Sequence, residues 1–260
     1  MTDGDTSADA GNSSDAGIND AGINDAGNND AGNNDAGNND AGNNDAGIND
    51  AGINDAGIND AGLPRHWSFA KYTIPVGAHS ATVAMNGASR APLAGLTSVS
   101  ARTYQFIFDA TAMYEFTNPA QPGDQLDWNK LPGLSDCGQF DLARDGLMFA
   151  WRWHLDTSPR VLEIAHYANN AGTHLYPAQG LVRFDEAELR SETPLTHELE
   201  IAATEYRFHL FGTLGTRVID ERATFPRRCT SSTTALKWAS GFYFGGTSTA
   251  PQPITGFVQE

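Results

Sequence analysis

The pattern of apolar positions divides the chain in two. From Trp67 onward, apolar and polar residues alternate with a period of two in short runs broken by Gly, Pro and Asn. Such alternation marks strands whose side chains point to opposite faces of a sheet. Tyr104, Phe106 and Phe108 alternate with Thr103, Gln105 and Ile107. In the run from Leu147 to His154, Phe149, Trp151 and Trp153 share one face, and Met148, Ala150, Arg152 and His154 share the other. A turn at 156–159 leads into a strand from Val161 to Tyr167, and Asn169-Asn170-Ala171-Gly172 reads as another turn. Leu199 to Ala203 and Tyr206 to Phe211 predict a strand pair, and Phe242 to Phe244 and Ile254 to Val258 predict two closing strands. Helical periodicity is confined to a short stretch around Asp185 to Arg190. Many short strands between frequent turns predict an all-β domain, a β-sandwich of jelly-roll type, over residues 64–260.

Before Pro64 the pattern has no apolar face. The unit Asp-Ala-Gly-(Ile/Asn)-Asn runs ten times from Asp15 to Leu63. A solenoid needs a large apolar residue at a fixed inward position. Here that position is Ile18, Ile23, Asn28, Asn33, Asn38, Asn43, Ile48, Ile53, Ile58 and Leu63, so four consecutive copies carry Asn. The remaining apolar surface does not offset the ~1–2 kcal/mol per residue lost on ordering the backbone. The expectation for residues 1–63 is a disordered acidic linker, with a reach of roughly 45 Å if it behaves as a Gly-rich coil. Asp and Asn also supply oxygen ligands for calcium, but the Gly-Gly-x-Gly-x-Asp spacing of calcium-binding β-rolls is missing.

Charge follows the same division. The chain's formal net charge is −16, and thirteen of its aspartates lie in the first 63 residues with no Lys or Arg. The remainder carries nineteen acidic and sixteen basic residues, a net charge near −3. Neither part has the basic footprint that a nucleic-acid backbone demands. No apolar run approaches the ~18 residues of a membrane span. The two cysteines, Cys137 and Cys229, admit two readings: one disulfide, or two buried thiols. A disulfide between them would close a loop of about 90 residues, for which the chain-entropy model gives about 4–5 kcal/mol.

The tract resembles the Asp-Ala-Gly-rich spacers that follow the lipid-bearing cysteine of many bacterial outer-membrane lipoproteins. That resemblance implies an extracytoplasmic location: cell surface, outer membrane or secreted. The chain has no Cys near Met1 and no apolar signal region, so either its start lies elsewhere or export takes another route. The run Asp127-Trp128-Asn129-Lys130-Leu131-Pro132-Gly133-Leu134-Ser135-Asp136-Cys137 resembles a motif of a family of uncharacterised bacterial secreted domains, Asp-Ile-Asn-Lys-Leu-x-Gly-Phe-Ser-Asp-Cys. Further stretches match in the same order: Trp151-Arg152-Trp153; Leu162-Glu163-Ile164 with Tyr167 and Asn169-Asn170-Ala171-Gly172; Tyr243-Phe244-Gly245-Gly246 with Ala250-Pro251. Cys229, after Pro226-Arg227-Arg228, falls where the family has its second Cys. The likeness departs at Gln252-Pro253, where the family favours His-Asp, and the chain has longer loops at 88–95 and 230–238. The family implies a fold and secretion rather than an activity. The Phe-Gly-Gly strand is also similar to concanavalin-like and laminin-G-like sandwiches.

Candidate chemistry gathers on one predicted face. Arg152 and His154 lie opposite the tryptophans, and Glu163 and His166 lie on opposite faces of the next strand. Arg pairs with carboxylates and aromatic rings stack on sugars, so a sheet face with Arg152, His154, either Glu163 or His166, and Tyr167 suits a glycan or uronate. Arg152 paired to Glu163 as a structural residue is the competing reading. Trp128 and Trp238, in turn-rich surroundings, are candidates for an exposed ligand platform. Asp124, Asp127, Asn129 and Asp136 could supply oxygen ligands to a structural calcium, or act as turn residues bonding their own backbone. Lys130 is expected to pair with Asp127 or Asp136. His197, Glu198 and Glu200 are expected on an exposed strand edge. No nucleophile elbow, His-Glu-x-x-His, phosphate loop or Cys-x-x-Cys is present. The function expected first is a surface-displayed binding module contacting a polysaccharide or another surface component. A polysaccharide lyase or glycoside hydrolase comes second, and a structural or interaction domain without a small ligand third.

Overall fold

The computed structural model describes residues 66, 68–85, 94–177 and 182–260. The repeat tract and the expected long loop at 88–95, except its last two residues, lie outside the described residues. In chain order the strands are β1 (Ala70–Ile74), β2 (Thr82–Met85), β3 (Gly95–Thr97), β4 (Ala101–Phe108), β5 (Asn129–Ser135), β6 (Gly146–His154) and β7 (Val161–Asn170). They continue as β8 (Thr173–Leu175), β9 (Val182–Phe184), β10 (Leu195–Ile201), β11 (Glu205–Leu214), β12 (Arg217–Pro226), β13 (Lys237–Ser240) and β14 (Ile254–Gln259). Among the described residues a single short α-helix, α1 (Glu186–Arg190), sits between β9 and β10. It starts at a capping box in which Asp185 accepts from the Glu188 amide and Glu188 reaches back to the Asp185 amide.

The strands form two antiparallel sheets. One has the order β12-β11-β10-β4-β14-β1-β2; the other runs β3-β13-β5-β6-β7-β8, with β9 also pairing β7. In the first sheet, β14 lies between β4 and β1. The alternation read from the sequence places Tyr104, Phe106 and Phe108 of β4 on the inner face, against Leu147, Phe149 and Trp151 of β6. Phe108 meets Trp151 at 5.4 Å between ring centroids, and Phe149 meets Phe208 edge-on at 5.5 Å. These rings join the two sheets into a sandwich whose core is unusually aromatic.

Two strands depart from the sequence reading. Phe242–Phe244 is not a regular strand; Tyr243 makes only isolated bridges to Ser80 and Lys130. The turn after β7 occupies Ala171 and Gly172, both at positive φ, so Asn169 and Asn170 belong to the strand. Their amides serve other segments: Asn169 donates to the Leu142 carbonyl and Asn170 to that of Pro226. Among the described residues no helix is long and apolar enough to cross a membrane.

A clasp joins the sheets at one end of β5. Cys137 and Cys229 form a disulfide with Cα atoms 5.6 Å apart. Beside it Asp136, fully buried, accepts from Arg227 Nε at 2.6 Å, Arg227 Nη2 at 3.1 Å and the Tyr206 hydroxyl at 3.1 Å. Bonding to Asp136 raises the Arg227 pKa against the opposing effect of burial. The first half of the same motif docks elsewhere. Asn129 accepts from the Gly245 amide, and a Cβ at Gly245 would collide with the Trp128 carbonyl, so the Gly245 backbone closes directly onto this stretch.

Candidate functional site

The second sheet carries most of the residues singled out from the sequence, but it divides them into three groups, one of them on its inner face. In the first, Arg152 and Glu163 are directly opposed across β6 and β7. Glu163 is fully buried and receives Arg152 Nη2 at 2.7 Å and Arg183 Nη2 at 2.8 Å, while His154 Nδ1 lies 3.3 Å from it. Burial acts to raise the Glu163 pKa, but bonds and charges from Arg152 and His154 outweigh it and hold the carboxyl below its usual range. Trp128 covers this network, its ring 4.1 Å from the Arg152 guanidinium. At 6 % exposure Trp128 is a lid on an ion pair rather than the exposed platform expected of it. The lid exists because the residues leading into β5 lie against this face, where Arg152 also bonds the Leu126 carbonyl.

His166 forms the second group alone. Alternation turns it into the core between Phe149 and Phe208, where burial lowers its pKa to about 4. It takes no part in the Arg152 network.

The third group lines a cleft of about 560 Å³. Its walls include Lys130, Tyr167, Asn169, His174, Trp238 and Tyr243, with Phe140, Leu142 and Met148 as apolar neighbours. Lys130 projects here because it sits just before a β-bulge in β5, where the register to β6 shifts between Lys130 and Gly133. Its ammonium lies 4.1 Å from the centre of the Tyr167 ring and donates to the Trp128 carbonyl. Burial lowers its pKa to about 8, partly opposed by the charge of Asp127. Tyr167 stacks on Tyr176 with centroids 5.2 Å apart, and burial raises its hydroxyl to about 12. His174 Nδ1 lies 2.5 Å from Asn169 Oδ1. The Asn169 amide nitrogen already donates to Leu142, so the imidazole donates through Nδ1 and, when neutral, keeps Nε2 unprotonated. Trp238 and Tyr243 stand on the rim at 41 % and 39 % exposure.

Several expectations require correction. Lys130 pairs with neither Asp127 nor Asp136 at ion-pair distance; Asp136 is taken by Arg227. The four candidate calcium ligands do not converge. Asp124 accepts from Ser248 and the Gln121 amide, Asn129 bonds Tyr114 and Gly245, and Asp136 belongs to the clasp. Only Asp127 approaches Asp124, and burial with the Asp124 charge raises its pKa. Strand β10 is interior, not an edge, because it pairs with both β4 and β11. His197 is buried and stacks on Tyr104 at 5.0 Å. Glu198 and Glu200 face outward into a shallow depression, where they pair with His209 and Arg207. Sequence reasoning passed over Lys130 and His174 as site residues. The signal available for Lys130 was a cation in a proline-containing strand, where a bulge re-aims side chains.

No protein-family model matches the chain, and no curated protein matches it.

Proposed function

We propose that the domain is an extracytoplasmic binding module that holds a glycan in the cleft beside Lys130 and is displayed on the acidic repeat tract as a tether. The observation that carries this reading is the pair of half-exposed rings, Trp238 and Tyr243, on the walls of a cleft that also offers polar groups. Flat aromatic faces cover the C–H surfaces of sugars, while amides and charged groups receive their hydroxyls. The disulfide supports an oxidising location. We read the sandwich as jelly-roll type and a member of the secreted-domain family resembled by its motifs. Support comes from the docking of Asp127-Trp128-Asn129 against Phe244-Gly245-Gly246, which brings two of the resembling stretches together.

The test is a glycan-array screen with the full chain, followed by calorimetry on any glycan retained. Replacing both Trp238 and Tyr243 by Ala should weaken binding about tenfold or more, as truncating a binding hot spot does, without lowering the unfolding midpoint. A wild-type chain that retains no glycan defeats the reading.

One observation favours a second reading, a polysaccharide lyase. Neutral His174, donating through Nδ1, presents Nε2 as a base beside Tyr167 and Lys130. Unsaturated sugar ends appearing on incubation with the chain, and vanishing in His174→Gln, would establish it. A glycosidase is less well supported, because it needs two carboxylates. Among the described residues Asp141 is the one carboxylate on the cleft wall, and it accepts from the Ala143 amide.

A further inference from the structure

The cations packed into this domain are not treated alike. Arg152 has Glu163, Arg227 has Asp136 and Arg102 has Glu260 as carboxylate partners. Lys130 has a carbonyl and a ring face, and no described carboxylate lies within ion-pair distance of it. Withdrawing an ammonium from water without an ion pair is costly. Lys237, the other lysine out of water, bonds the Val99 and Thr233 carbonyls and is not part of this cleft's lining. Lys130 differs in facing a cavity large enough for sugar residues.

We infer that the cleft selects an acidic glycan, and that Lys130 receives the carboxylate or sulfate of that sugar while Trp238 and Tyr243 hold its rings. The inference rests on the glycan reading above and narrows it to one substrate class. An incoming anion would give Lys130 the partner that the fold withholds, in a site where water no longer screens the attraction.

The groups facing Lys130 are consistent with this role. Asp127, on the segment before β5, acts on Lys130 only through space, and its own carboxyl is shifted toward protonation by burial and by Asp124. Tyr167 on β7 presents its ring face, and Tyr243 exchanges backbone hydrogen bonds with Lys130 at 2.8 and 3.0 Å. His174 on β8 and Asp141 on the loop between β5 and β6 stand on other parts of the wall. Among the described residues Asp141 is the one carboxylate on that wall, and it would restrict how an acidic sugar is oriented.

The experiment titrates the full chain by calorimetry with a soluble polyuronate, a sulfated polysaccharide and a neutral glucan. The acidic polymers should bind and the glucan should not; the acidic polymer preferred identifies carboxylate or sulfate as the source. Lys130→Met should weaken acidic-polymer binding about tenfold or more while leaving the unfolding midpoint in place. Lys130→Arg should retain most of the affinity. Wild-type affinity should fall as pH rises through about 8, where Lys130 loses its proton. The Lys130→Arg variant should show no such fall. Equal binding of neutral and acidic polymers, unaffected by Lys130→Met, overturns the inference and leaves the glycan site standing. Binding of none of the three overturns both.

Discussion

Asp136 follows one end of β5 and is bonded by an arginine and a tyrosine beside a disulfide; Lys130, near the other end, meets a carbonyl and an aromatic face. Both groups come from one eleven-residue motif, and both are ionisable side chains withdrawn from water. The difference teaches that the motif combines two kinds of site. A fully partnered buried charge fixes geometry, because removing either partner strands the other. A charge left without a counter-ion beside open space is available to something outside the chain. Sequence spacing alone gives no hint of which is which.

The largest effect should come from the partnered end. Replacing both cysteines by Ser should lower stability by about 4–5 kcal/mol in the chain-entropy model, measured by denaturant unfolding. A loss below ~1 kcal/mol would mean that the clasp does not hold the sheets together. Asp136→Asn should cost about 3–5 kcal/mol, because the buried Arg227 loses its counter-charge. Arg227→Lys should not be neutral, since a lysine cannot reproduce the two-pronged bond.

His166 sharpens the contrast from a third direction, since it avoids the cost of a buried charge by staying neutral. Its folded pKa of about 4 lies below the 6.5 of an exposed imidazole. Below pH 6.5 the unfolded chain therefore takes up a proton that the folded chain refuses. Stability should fall as pH drops from 6.5 toward 4 and then level off, by about 3 kcal/mol for this group. Buried His197, at about 3, adds a loss of the same sign. His166→Met should flatten its share of the slope; an unchanged slope would locate the acid sensitivity elsewhere.

The smallest change in stability is expected at the unpartnered end. Lys130→Met should alter stability by less than ~1 kcal/mol at pH 7, or raise it. Between pH 8 and 10 the unfolded chain holds the lysine proton more tightly than the folded one. Wild-type stability should therefore gain more with rising pH in that window than the Met variant's does. A large loss in Lys130→Met would make Lys130 a structural residue like Asp136.

Much of the fold could be read from residues whose pattern carries one strong period. Strands β4, β6, β7 and β14 alternate apolar and polar side chains, and the core they predict is the core found. Strand β12 was missed because it lies at a sheet edge, where its charged residues face water and little alternation survives. Strands β2, β3 and β13 are three or four residues long, too short for a period to register. The candidate site was less legible. Alternation correctly separated Arg152 from the tryptophans and His166 from Glu163. It had no means of showing that the residues leading into β5 would lie over Arg152 and bury Trp128. Nor did it show that the bulge after Lys130 would turn a motif lysine into the cleft. Both outcomes depend on contacts between residues far apart in sequence.

The place of β14 bears on how the molecule comes into being. Among the described residues, strands β4 and β1 are joined in their sheet through β14, which pairs with both. While a growing chain still lacks Ile254–Gln259, one sheet exists as two unconnected pieces with apolar faces open. Translation must run to this point before the sandwich can seal, so the domain should be vulnerable to aggregation or proteases until β14 has been made.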